Sequence, residues 1–145
     1  MTLKRWEGNG WLKSEPTSPD EIANLLAIVD RDLKDATGPM SSDWQFGIAY
    51  NAVLKLCTIL LRSEGCRPSH GQQHYRTIMA MPLILGESRR EDARYLDTCR
   101  VKRNTVEYDY VGSASADDVA ELLAFAQQFK DEVLRWMRLA HSELL

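Results

Sequence analysis

Between Trp44 and Leu61 the chain places apolar side chains on almost every face of a helix, at Trp44, Ile48, Ala52, Val53, Leu56, Cys57, Ile59, Leu60 and Leu61. A helix with one apolar stripe can lie on a surface, whereas a helix apolar all round needs other elements on every side. This stretch, started by Ser42-Asp43 and stopped by Gly65, therefore belongs in the centre of a bundle. The flanking sequence supplies the wrapping. Ser18-Pro19-Asp20-Glu21 is a helix start, with a capping hydroxyl, a first-turn proline and acidic residues. Ile22, Leu25, Leu26, Val29, Leu33 and Ala36 follow at helical spacing, and Thr37-Gly38-Pro39 ends the run. A third helix is expected from near Gln72 through Tyr75, Ile78 and Met79, kinked or ended by Pro82. Ser88 reads as the cap of a fourth, from Arg89 to Tyr110. The last follows Ser113 to Ser115, with Val119, Leu122, Ala126, Phe129, Val133, Trp136 and Ala140 stepping by threes and fours.

No strand-like alternation appears. The expected fold is all-α, an antiparallel bundle of about five helices over residues 19–145. Residues 1–18, broken by Gly8, Gly10 and Pro16, read as an irregular N-terminal arm. Its two tryptophans, Trp6 and Trp11, are expected to fold back over the domain, with partner binding as the alternative.

A chain of 145 residues is long enough to bury a core of its own. The longest apolar run, Ile78 to Leu85, is short of the roughly 18 residues of a membrane span and contains Pro82. The start, MTLKRWEGNG, has no apolar stretch behind its basic residues. These features predict a cytoplasmic protein without a membrane partner. Cys57, Cys66 and Cys99 cannot all pair within one chain and form no C-x-x-C spacing, so reduced thiols are expected, Cys57 and Cys99 as small apolar core residues. His70 and His74 sit four apart near the start of the third helix. No third ligand accompanies them, so capping or surface roles are expected, with no metal and no cofactor.

The formal net charge of −3 argues against coating nucleic acid non-specifically, but it is unevenly spread. From Arg89 to Arg103 six basic residues (Arg89, Arg90, Arg94, Arg100, Lys102, Arg103) face three acidic ones (Glu91, Asp92, Asp97), a local excess of +3 that leaves −6 elsewhere. Around Arg89 to Arg94, pairs such as Glu91 with Arg94 fit an ordinary solvated face. Further along, Arg100, Arg103, Asn104, Glu107, Tyr108 and Tyr110 fall on one arc of about 160°, with Tyr95, Cys99 and Val106 turned toward the core. Guanidinium forks match phosphate oxygens, and amide or phenol groups hold a nearby hydroxyl or base edge. The arc is a phosphate-site candidate, with a solvated or subunit-packing surface as the alternative.

Two stretches carry a resemblance to a known family. One is Ala49-Tyr50-Asn51-Ala52-Val53-Leu54-Lys55-Leu56 with the exit Leu60-Leu61-Arg62-Ser63-Glu64-Gly65-Cys66-Arg67, followed by His70 and His74. The other is Arg103-Asn104-Thr105-Val106-Glu107-Tyr108-Asp109-Tyr110. Together they resemble the HEPN superfamily (higher eukaryotes and prokaryotes nucleotide-binding), small helical domains of toxin–antitoxin, defence and RNA-processing systems. Its signature is an Arg, often followed by a polar residue such as Asn, with a His after four to six intervening residues, and in one subgroup a further residue and Tyr. The resemblance spans about Pro19 to Ala140. It implies a homodimer in which the motifs of both subunits meet in a cleft that binds RNA or nucleotide, and in catalytic members a metal-independent endoribonuclease. By it Arg103, Asn104 and Tyr108 take the catalytic positions, and Arg100, Arg103, Asn104 and Tyr110 the phosphate- or RNA-binding ones. Tyr110 also matches the Tyr that, in that subgroup, accepts an adenylyl group from a minimal nucleotidyltransferase partner. A non-catalytic interaction module, docking such a partner, is the alternative function.

The sequence departs from the signature at one chemically decisive place: Tyr108 stands where the His belongs. Cleavage through the 2′-hydroxyl needs a proton acceptor, a donor to the leaving oxygen and positive charge near the phosphate. A phenol with a reference pKa of about 10 costs about 4 kcal/mol to hold ionised at neutral pH. Tyr108 is a poor general base, and Glu107, His70 or His74 would have to supply one, or the chain is inactive.

Overall fold

The computed structural model describes residues 1–108 and 111–145, the side chains of Glu107 and Tyr108 excepted. The chain is a helical bundle around α3, Ser42–Ser63. Phe46, Ala49, Tyr50, Val53, Leu56, Cys57, Ile59 and Leu60 are all buried, which places core on opposite sides of the same helix. α2 (Pro19–Asp35), α6 (Arg90–Tyr108) and α7 (Ala116–Ala140) pack around it. α3 is also long and apolar enough to cross a membrane by length and composition, although most of it is buried among its neighbours. The reading that took Ile78 to Leu85 as the longest apolar run missed this, because scattered polar residues interrupt the α3 stretch.

Serine hydroxyls cap α2, α3 and α7, at α3 from Ser41, one residue before the expected start at Ser42. The hydroxyls of Ser18, Ser41 and Ser115 accept from Glu21, Trp44 and Asp118 backbone N–H groups. At α7 the box is reciprocal, since Asp118 accepts the N–H of Ser115 at 3.0 Å. Ile22, Val29 and Leu33 of α2, and Val119, Leu122, Ala126, Phe129, Val133 and Met137 of α7, form the buried stripes facing α3. Trp136, expected in the α7 seam, is only partly buried against it, while Met137 is fully buried.

Three local readings need correction. Residues 1–18 are not an irregular arm: they hold a short helix, α1 (Leu3–Gly8), and a strand, β1 (Leu12–Ser14). β1 pairs antiparallel with β2 (Cys66–Pro68), Leu12 opposite Pro68 and Ser14 opposite Cys66. Elements this short carry too few residues for a period to show, and the ribbon's partner lies far away in sequence. Trp6, Leu12, Leu61, Cys66 and Ala80 close a second small core beneath it, so the tryptophans do fold back. The third helix is two, α4 (Gln73–Met79) and α5 (Met81–Leu85), with Pro82 in the first turn of the latter. Continuing α4 through Pro82 would lose a backbone hydrogen bond and press the ring on the Ile78 carbonyl. Ser88 does not cap α6: it lies inside a 3-10 turn, Glu87–Arg89, braced by Arg90 Nε donating to Glu87 at 2.8 Å.

Arg62, buried at the end of α3, ties the amino-terminal segment down. Its guanidinium donates to the carbonyls of Glu15, Pro16 and Cys66 at 3.0, 3.0 and 3.1 Å, and to the Glu21 carboxylate at 2.8 Å. The β1–β2 ribbon, and with it the entry to α4, is thus anchored to the central helix. Cys57, Cys66 and Cys99 are all buried and free.

Candidate functional site

The charge of α6 divides along its length. Arg89 pairs with Asp92 at 3.1 Å and with Glu132 of α7; Arg90 pairs with Glu87, Arg94 with Glu91, and Lys102 with Asp118 at 3.3 Å. Glu87, Glu132 and Asp118 lie outside the basic stretch, so tertiary packing offsets much of the excess seen in sequence. The first half of α6 is an ion-pair face, which leaves Arg100 and Arg103 as the arginines of the candidate site.

There α6 meets α4 beside the middle of α3, at Tyr50 and Lys55. Arg100 lines an open cleft of about 790 Å³ together with His70, Gly71, Gln72, Gln73, His74 and Tyr75. Its Nε donates to Asp97 at 2.8 Å, and its guanidinium carbon lies 5.7 Å from the Tyr75 ring centre. Arg103, one turn on, sits 5.8 Å from the ring centre of Tyr50, on α3. The same Tyr50 ring is 6.4 Å from the His74 ring, inclined at 47°. Tyr50 therefore has both the arginine from α6 and the histidine from α4 as neighbours. It is 1 % exposed, its hydroxyl has no hydrogen-bond partner among the described residues, and burial pushes its pKa far above the ordinary phenol value.

His74 responds to this setting. Its pKa is held below the ordinary imidazole value, first by the protein packed around it and then by the positive charges of Arg103, Lys55 and Arg100. Three cations from two helices thus converge on one exposed imidazole. The loop before α4 brings it there through two successive left-handed residues, Gly71 at φ 85° and Gln72 at φ 51°. The second is unusual for a residue with a side chain.

Of the residues singled out from sequence, Arg100 and Arg103 are half-buried in this cluster. Asn104 is exposed beside it, its amide oxygen accepting from Arg103 at 3.4 Å. The side chains of Glu107 and Tyr108, and Tyr110 entirely, lie outside the described residues. His70 and His74, which the sequence could not place, both line the cleft. Tyr50, Lys55 and Tyr75 were not singled out as site residues. A phenol among the core-facing residues of α3 was the available signal for Tyr50. Among the described residues no three His, Cys, Asp or Glu side chains gather as a metal-ligand group. Comparison with protein-family models, with curated proteins and with solved structures finds no match to the chain.

Proposed function

We propose that the chain is an HEPN-like protein that binds RNA through its phosphates at the α4–α6 face, acting as a homodimer. One observation carries the reading: Arg100 of α6 and the cleft wall from α4 enclose an open surface, and Arg103 of α6 and Lys55 of α3 add their charge at His74 on that wall. Arg100 and Arg103 supply guanidinium forks for phosphate oxygens, and Asn104 offers an amide to a ribose or base edge. Tyr75, on the cleft wall beside Arg100, offers a ring face on which an unpaired base can stack, which favours single-stranded over duplex RNA.

Fluorescence anisotropy of a labelled single-stranded oligoribonucleotide tests this. Wild-type protein is expected to bind, and Arg100→Ala with Arg103→Ala to lose at least tenfold in affinity while remaining a dimer by light scattering. Binding untouched by both substitutions refutes the site. Dissociation of the dimer by Arg103→Ala with RNA affinity intact would reassign that residue to subunit packing. Cutting the bound strand needs a proton acceptor as well, which neither arginine nor the amide provides.

A further inference from the structure

We infer that His74 is the general base of this site, taking the proton of a ribose 2′-hydroxyl when the adjacent phosphate is held by Arg100 and Arg103. The inference rests on the RNA-phosphate reading above and adds to it a reaction and the residue that performs it. Signature logic looks for the titrating group on α6 itself, a few residues after Arg103, and finds Tyr108. In the folded chain an imidazole from a different helix stands close enough to feel the charge of the same arginines. The His74 ring centre and the Arg103 guanidinium carbon lie 6.4 and 5.8 Å from the centre of the same Tyr50 ring, and His74 and Arg100 share the walls of one cleft. The cleft is open enough to admit a strand, and the imidazole is exposed on it.

The protonation state fits the role. The groups around His74 are Tyr50 and Lys55 from α3, Arg100 and Arg103 from α6, with Asp97 paired to Arg100, Tyr75 beside it on α4, and His70 from the preceding loop on the same cleft. The cations and the partial desolvation keep the imidazole neutral near pH 7, the form that accepts a proton. In the step itself the 2′-oxygen attacks phosphorus as its proton passes to His74. The O2′–P bond forms and the P–O5′ bond breaks. The departing 5′-oxygen takes a proton from water, and His74 returns its own to the hydroxide so formed. The products are a 2′,3′-cyclic phosphate and a 5′-hydroxyl, with no net proton consumed. Arg100 and Arg103 offset the charge that gathers on the phosphoryl oxygens.

The test uses the full-length protein, a labelled single-stranded oligoribonucleotide of mixed sequence, and its all-deoxy counterpart, with EDTA present. Wild type is expected to cut the RNA, leave the deoxy strand intact and release cyclic-phosphate ends. His74→Gln should lower the cleavage rate at least about 100-fold while binding the deoxy strand as tightly as wild type. The wild-type kcat/KM should rise with pH along an acid limb below about pH 6.5 and then level off. The kcat limb should lie at higher pH, because a bound phosphate raises the His74 pKa again. His74→Gln should lack both limbs. A wild-type rate in His74→Gln, cleavage of the deoxy strand or 5′-phosphate products would each overturn the assignment. Arg103-dependent binding without any cleavage overturns it and leaves the phosphate site standing. An absence of RNA binding removes the phosphate site, and the base with it.

Discussion

Single side chains decide more here than their numbers suggest. The Tyr50 hydroxyl is buried and without a partner among the described residues, and such a group carries a desolvation cost of about 1–3 kcal/mol with no bond to offset it. Tyr50→Phe is therefore expected to unfold at an equal or higher urea concentration than wild type, against the usual direction of core substitutions. Arg62 is the opposite case. Three backbone carbonyls rely on its guanidinium, while its acidic partners Glu15 and Glu21 are half exposed and able to rehydrate. Arg62→Met should cost about 3 kcal/mol, read as a lower urea midpoint, most of it from the orphaned carbonyls. The thiols give a third check. Burial pushes Cys57 up to about 12 and Cys99 up to about 11, so both stay protonated and shielded. An aromatic disulfide reagent should label them in the native protein far more slowly than in denaturant.

At the scale of elements, the starts of α2 and α7 were read correctly and that of α3 to within one residue, because capping is a local bond between neighbours. Ser115→Ala should cost about 1 kcal/mol by removing half of the reciprocal cap on α7. The other half is pH-dependent. The Ser115 backbone N–H first, and Lys102 after it, hold Asp118 below the ordinary carboxylate value. A carboxylate depressed on folding stabilises at pH above its unfolded value and loses that contribution as pH falls through the folded one. Wild-type stability should thus fall on going from about pH 7 to about pH 3, and by less in Asp118→Asn. The errors also belong to this scale. Ser88 has the composition of a cap, but α6 is entered through a 3-10 turn after Gly86, set by how α5 delivers the chain. α1 and the ribbon were illegible because their stability comes from the second core and Arg62, not from their own sequence.

For the whole molecule, net charge was the poorest guide. Glu87 and Glu132 offset the first half of the basic helix and Asp118 offsets Lys102 further along it, while folding adds Lys55 to the arginines at its far end. A site of about three cations on single-stranded RNA predicts a log affinity that falls with log salt at a slope near −2, despite the chain's formal charge of −3. Arg103→Ala should flatten that slope by about 0.7. A flat salt response would mean that contacts other than phosphate hold the ligand.

The sequence by itself determined the helical bundle, the central place of the helix from Trp44 to Leu61 and the caps that start its neighbours. Each follows from periodicity or from a bond spanning three residues, and both are written locally. It also marked Arg100 and Arg103 as one face of one helix, since that is a matter of turn angle alone. Only the tertiary structure decided what stands opposite them. His74 is brought there by two left-handed residues, a helix broken at Pro82 and a ribbon joined across the length of the amino-terminal half. Such long-range placement is a property of packing, and no spacing in the chain encodes it.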